Sequence, residues 1–233
     1  MRRGGRRIDL GLYLRAFPLL VKNPIVIVPP LVAALLGVLI SSFTGPFTDP
    51  LGGFGAGLLQ FLAFLVDMFL FGVSLIIAQT VWRRGRATFD VAWNEAQEKA
   101  MSILFAAVGF QFVIYAAGLV GGVFGPFGYL LAVVAVYFLI YTIPAAAIGG
   151  IPGGAALSAS IERVKDNYLA AGILCIVSLV LYAYFSLRVI EILFVYIGSS
   201  AWAVEALVQA VVKAIVVGYL AFVFAKQYDE IAF

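Results

Sequence analysis

Apolar residues run along this chain in six long blocks, and the breaks between the blocks alternate in kind. The blocks are about Pro24–Phe43, Ala56–Trp82, Ala100–Val123, Phe127–Ile148, Tyr168–Ile190 and Ala201–Ala225. Each approaches or exceeds the ~20 residues that a helix needs to cross ~30 Å of hydrocarbon. The pattern therefore predicts an all-α polytopic membrane protein of six transmembrane helices, a single transmembrane domain over residues 1–233. Breaks after the first, third and fifth blocks carry no Lys or Arg, whereas those after the second and fourth are longer and basic.

Finer features follow from the same pattern. In residues 1–22, Leu10, Leu12, Tyr13, Phe17, Leu19 and Leu20 are interspersed with Asp9, Arg15 and Lys22, which predicts an amphipathic helix lying in the membrane interface. Pro29-Pro30 falls in the first turns of the first span and is expected to kink or locally open it. Gly85–Lys99 reads as a polar, helical inner segment with Asp90 as N-cap, and Gly149–Asn167 as a second inner loop. The GxxxG spacings Gly118/Gly122 and Gly121/Gly125 point to close packing between spans three and four.

Composition agrees with the pattern. The chain is 64% hydrophobic and 12% charged, with mean hydropathy +1.09; soluble domains run at about 45–50% and about 25%. Of its fifteen basic residues, all but Arg188 and Lys213 lie in the N-terminal segment, the two basic breaks or the C-terminal tail. Positive residues in short loops mark the cytoplasmic side, so both termini are predicted to be cytoplasmic, in an inner membrane of a prokaryotic cell. The net charge of +3 is accounted for by these topology-fixing residues and anionic headgroups, and no nucleic-acid partner is expected. The apolar run after Pro24 is long enough to span and no small-residue cleavage site follows a short one, so a retained N-terminus is expected. The chain has one cysteine, Cys175 within an apolar run, and no histidine. An intrachain disulfide is thereby excluded, and the commonest ligands for zinc and haem are missing. No metal and no cofactor are expected.

Ionisable residues inside the spans are the candidates for chemistry, because charge in hydrocarbon is costly. Asp67 lies eleven residues into the second span, ~16 Å from its outer end, and Lys213 lies twelve residues into the sixth, ~18 Å. Matching depth predicts that spans two and six are neighbours and that the two side chains pair near mid-membrane. Such a pair either fixes helix register or exchanges its partner for a substrate or ion. The static role is the cheaper account, since span two around Asp67 has no accompanying polar face. Arg188 and Glu191 share a face at the outer end of span five, and Glu205 starts span six within Arg188's reach. Snorkelling to headgroups accounts for these equally well. Gln111, Tyr115, Tyr137, Tyr141, Tyr182 and Tyr184 are read as interfacial or helix-bridging groups. Arg2, Arg3, Arg6, Arg7, Arg83, Arg84, Arg86 and Trp93 form the expected headgroup- or partner-facing inner surface. No GxSxG, HExxH, P-loop or strand-linked GxGxxG is present, so no enzyme is predicted.

The interfacial segment ending in Lys22-Asn23-Pro24, the basic loop leading into Ala92-Trp93-Asn94-Glu95-Ala96, and Ala156-Leu157-Ser158-Ala159-Ser160-Ile161-Glu162-Arg163-Val164-Lys165-Asp166-Asn167-Tyr168 together resemble a known group. It is the YciC-like family of six-span prokaryotic membrane proteins, and the membrane domain attached to some glycerophosphodiester phosphodiesterases is similar. The likeness covers nearly the whole chain and is one of pattern. It implies the membrane fold, and no catalytic or binding residue carries over. The resulting expectation is a non-catalytic scaffold or accessory subunit, in contact with the lipid bilayer and with a membrane-protein partner. The alternative is a small-solute or ion-coupled transporter component built around Asp67 and Lys213.

Overall fold

The computed structural model describes residues 9–43, 50–125, 128–197 and 202–232, with the side chains of 41–43, 50–54, 128–129, 183–197, 202–203 and 232 excepted. Among them every regular element is helical: α1 Gly11–Lys22, a 3-10 turn Pro24–Ile27, α2 Val28–Phe43, α3 Pro50–Arg84, α4 Phe89–Glu98, α5 Ala100–Gly122, α6 Gly128–Leu139, α7 Thr142–Ala147, α8 Gly153–Asp166, α9 Tyr168–Ile197 and α10 Trp202–Ala232. Four stretches are long and apolar enough to cross a membrane: Gly55–Arg84, Ala100–Gly122, Leu130–Ala147 and Val204–Ile231. Two bent pairs, Gly11–Lys22 with Pro24–Ile40 at 96° and Gly153–Asp166 with Tyr168–Tyr182 at 110°, raise the number to six if each counts once.

The chain bends where local chemistry breaks the hydrogen-bond ladder. Pro24 has no N–H, and α1 ends at Asn23, whose backbone and side-chain N–H groups both donate to the Leu19 carbonyl, at 2.9 and 3.2 Å. The turn is thus made ahead of Pro29-Pro30. Those prolines sit in the first turn of α2, where missing N–H groups cost nothing, so the expected kink is absent there. Gly85, with φ +78°, closes α3 by returning its N–H to Val81 at 2.8 Å.

α4 begins two residues earlier than the sequence reading has it: Thr88 stands at the N-cap position and Asp90 in the first turn. The inner segment 149–167, read as a loop, is largely the fourteen-residue helix α8. Its buried face is Ala156, Ser160 and Val164, small residues at helical spacing that let it lie close against α5, α6 and α7. The fourth block is not continuous. It breaks at Ile140-Tyr141 between α6 and α7, one turn ahead of Pro144.

The core lies where α3, α7 and α10 meet. Leu75, Ile76, Ile77 and Ala78 are fully buried there, as are Ala145, Ala146, Ala147, Ala221, Phe222 and Val223. α5 and α6 pack mainly on each other and leave Phe105, Phe112, Leu119, Leu130 and Val134 exposed.

α5 and α6 pack closely, as expected for spans three and four, and of the expected glycines Gly121 is buried. A Cβ at Gly118 or Gly122 meets nothing within 4 Å among the described residues. At Gly153 it lies 2.6 Å from Phe105 Cβ, and at Gly109 2.8 Å from Leu157 Cδ1. Gly109 and Gly153 thus bring α5 and α8 together, while Gly118 and Gly122 face away from any described partner.

Candidate functional site

α3 and α10 carry two charge pairs of opposite polarity. Lys213 Nζ lies 3.2 Å from Asp67 Oδ2. Sixteen residues further along both helices, Arg83 grips Asp229 with two bonds, Nη2 to Oδ1 at 3.1 Å and Nε to Oδ2 at 3.2 Å. Gln79 Nε2 donates to the same carboxylate at 2.7 Å. Both pairs span 146 residues of sequence, so the helices run parallel and in step. A slip of one turn separates both. Asp67 lies ~24 Å along α3 from Arg83 and ~16 Å from Ala56, within a few ångströms of the middle of the span.

Asp67 and Lys213 are not sealed in the core. Their side chains are 29% and 26% exposed, and both line a cleft of about 400 Å³ enclosed by α3, α5, α6, α7, α9 and α10. Three stripes at helical spacing make its walls: Phe64, Asp67, Met68 and Phe71 on α3, Cys175, Ser178, Leu179 and Tyr182 on α9, and Lys213, Val217, Leu220 and Phe224 on α10. The Ser178 hydroxyl is shielded and has no hydrogen-bond partner among the described residues. The arrangement is one acid–base pair and two hydroxyls in an otherwise apolar trough.

The break in the fourth block forms part of this wall, through Leu139, Ile140 and Ile143. It is held from behind by Ser160 of α8, whose hydroxyl accepts from the Tyr141 N–H at 3.0 Å and donates to the Phe138 carbonyl at 2.9 Å. Lys99 closes the other end of α7, donating to the Ala147 carbonyl at 2.9 Å and to Glu95 at 2.7 Å. Around this basic end sits a second polar group. Arg163 stacks over the Tyr228 ring at 4.0 Å, and Tyr141 and Tyr228 have ring centroids 6.4 Å apart. Burial lowers the Arg163 pKa from its ordinary value.

The other residues singled out by sequence are scattered. Trp93 is not a free partner surface: it stacks on Phe89 and meets Phe69 edge-on at 5.6 Å, docking α4 onto α3. Arg83 is spent on Asp229, while Arg84 and Arg86 are exposed. Glu205 is half-buried near the start of α10. Arg2, Arg3, Arg6 and Arg7 lie outside the described residues, as do the side chains of Arg188, Glu191 and Tyr184. Tyr137 bridges to the Tyr168 carbonyl at 3.0 Å, Tyr115 is exposed, and Tyr182 belongs to the cleft.

Sequence reading passed over Ser160, Ser178 and Pro144. Pro144 alone carried a local signal, a missing N–H inside a predicted helix. No three acidic or cysteine side chains converge on a metal-sized site among the described residues.

Composition and long apolar helices are those of an integral membrane protein of the polytopic α-helical class. The chain matches no family model, no curated protein and no solved structure.

Proposed function

We propose that this chain is a non-catalytic, six-span protein of a prokaryotic inner membrane, with both termini cytoplasmic, that receives a small lipid-soluble molecule in the cleft beside Asp67 and Lys213. The observation that carries this reading is the cleft itself, of a size usual for small-molecule sites. Its charge pair faces the space and is not sealed in the core. A discontinuous helix lines it, a device that membrane proteins use where irregular backbone borders a cavity. This is the permease-type alternative, moved from polar solutes to apolar ones by the nature of the walls.

Six spans are supported by the parallel run of α3 and α10. Helices crossing in the same direction need an odd number of crossings between them. α5 and the α6–α7 unit supply two, so α9 is the third. α1 is placed in the interface, because it turns 96° from the helix that follows and leaves Leu10, Leu14, Phe17 and Val21 exposed along one stripe. Arg15 and Lys22 flank that stripe, as the headgroup layer favours. The YciC-like resemblance fits the same topology.

A scaffold or accessory role is the second reading, and it rests on the outer face of α4. There Asp90, Val91, Asn94 and Glu98 stand exposed beside Arg84 and Arg86.

Native mass spectrometry of the chain released from its own membrane in mild detergent separates the two. A small ligand that accompanies the wild type and is lost from Val217→Trp, which fills the cleft, supports binding. A second polypeptide at fixed stoichiometry, with no ligand on either protein, overturns binding in favour of the accessory role.

A further inference from the structure

Resting on the reading that the cleft is a ligand site, we propose that its occupant is an electrically neutral amphiphile: a single alkyl or isoprenoid chain whose head offers a hydroxyl or carbonyl oxygen. The shape points to a chain. Along α10 the lining runs from Lys213 to Phe224, eleven residues or ~16 Å of helix, with the charge pair at one end and Val217, Leu220 and Phe224 beyond it. About 400 Å³ holds on the order of a dozen groups the size of a water or a methylene. That is room for one chain.

Charge balance selects the head. Among the described lining residues Lys213 and Asp67 are the charged ones, and they cancel. An anionic head would compete with Asp67 for the ammonium, and a cationic head would compete with Lys213 for the carboxylate. Either leaves one protein charge uncompensated against Phe, Met and Leu side chains, the costly condition in apolar surroundings.

A neutral oxygen leaves the pair intact and still finds partners. Of the three donors of the Lys213 ammonium, one is turned to Asp67, and the Asp67 Oδ1 lone pairs remain as acceptors. The Ser178 hydroxyl is shielded from the cleft and takes no part in this recognition.

The test uses the full chain in lipid vesicles and three photoactivatable probes with one diazirine-bearing alkyl chain. Their heads are a primary alcohol, a phosphate monoester and a quaternary ammonium. Crosslinks are mapped by peptide mass spectrometry. The alcohol is expected to label the segments Phe64–Phe71, Cys175–Tyr182 and Lys213–Phe224 at least about tenfold more than either charged probe, the ratio given by a difference of one factor of ten in affinity. The double variant D67N/K213Q, also neutral, should keep the alcohol preference. Lys213→Met, which leaves Asp67 alone, should turn the preference toward the ammonium head.

A charged probe that labels these segments of the wild type as well as the alcohol does overturns the neutral-head assignment and leaves the ligand site standing. Should no probe label them above the lipid-facing face of α5, the ligand site itself fails, and this inference with it.

Discussion

Asp67 and Lys213 stand 3.2 Å apart in a wall of Phe, Met and Leu, and that setting decides what either costs when left alone. Asp67→Asn strands an ammonium, and Lys213→Gln strands a carboxylate. Each change is expected to lower stability by about 3 kcal/mol. The double variant removes both charges and should recover most of the loss, because neutral side chains of similar size still fill the space. Unfolding midpoints of the four proteins in mixed detergent–SDS micelles complete the cycle, and losses that merely add would show that the residues do not act as a pair. Ser160 illustrates the opposite economy. One hydroxyl serves both the Tyr141 N–H and the Phe138 carbonyl, so the break in the fourth block is satisfied without water.

At the scale of elements, the glycines divide by what surrounds them. Gly149 lies against the Tyr228 hydroxyl, and a Cβ there comes within 2.7 Å of the Ala145 carbonyl oxygen, which is backbone and cannot swing aside. Gly153 presents the same difficulty to Phe105. Gly149→Ala and Gly153→Ala are expected to cost about 1–3 kcal/mol through overpacking. Gly118→Ala and Gly122→Ala, where a Cβ meets nothing within 4 Å among the described residues, should be neutral or stabilising by up to ~1 kcal/mol, since alanine is the better helix former. The same SDS titration ranks all four, and a large loss at Gly118 or Gly122 would restore the GxxxG contact that their surroundings deny.

The contrast shows what was legible in the sequence. The helical blocks and the Asp67–Lys213 contact could be read because charge in an apolar run is conspicuous and its depth can be counted. The α8 helix could not. Gly149-Gly150-Ile151-Pro152-Gly153-Gly154 reads as a loop, and the small buried face Ala156, Ser160 and Val164 gives almost no contrast in hydropathy. Tyr182 read as an interfacial or helix-bridging group and Ser178 was passed over, because only the packing of α9 against α10 turns them into the wall that holds Lys213. Spacing along one helix cannot reveal what the next helix supplies.

For the whole molecule, direction is the quantity that ties the parts together. Two pairs of opposite polarity, Asp67 with Lys213 and Arg83 with Asp229, require α3 and α10 to run the same way. On the six-span topology proposed above, five helical units from α3 to α10 alternate in direction, and α2 ahead of α3 makes the sixth. The alternation fixes where reporter fusions come to rest. A cytoplasm-active fluorescent protein fused after Arg86, Asp166 or Phe233 should fluoresce, and alkaline phosphatase at those positions should be inactive. After Gly125 the two reporters should exchange behaviour, because that position closes the only crossing between Arg86 and itself. The Asp166 junction discriminates most sharply. It separates the α6–α7 return from α9, so an active phosphatase there would mean that the broken α6–α7 unit does not cross the membrane. The parallel run of α3 and α10 would then need a different third crossing, and the cleft they share with α9 could not have the walls described here.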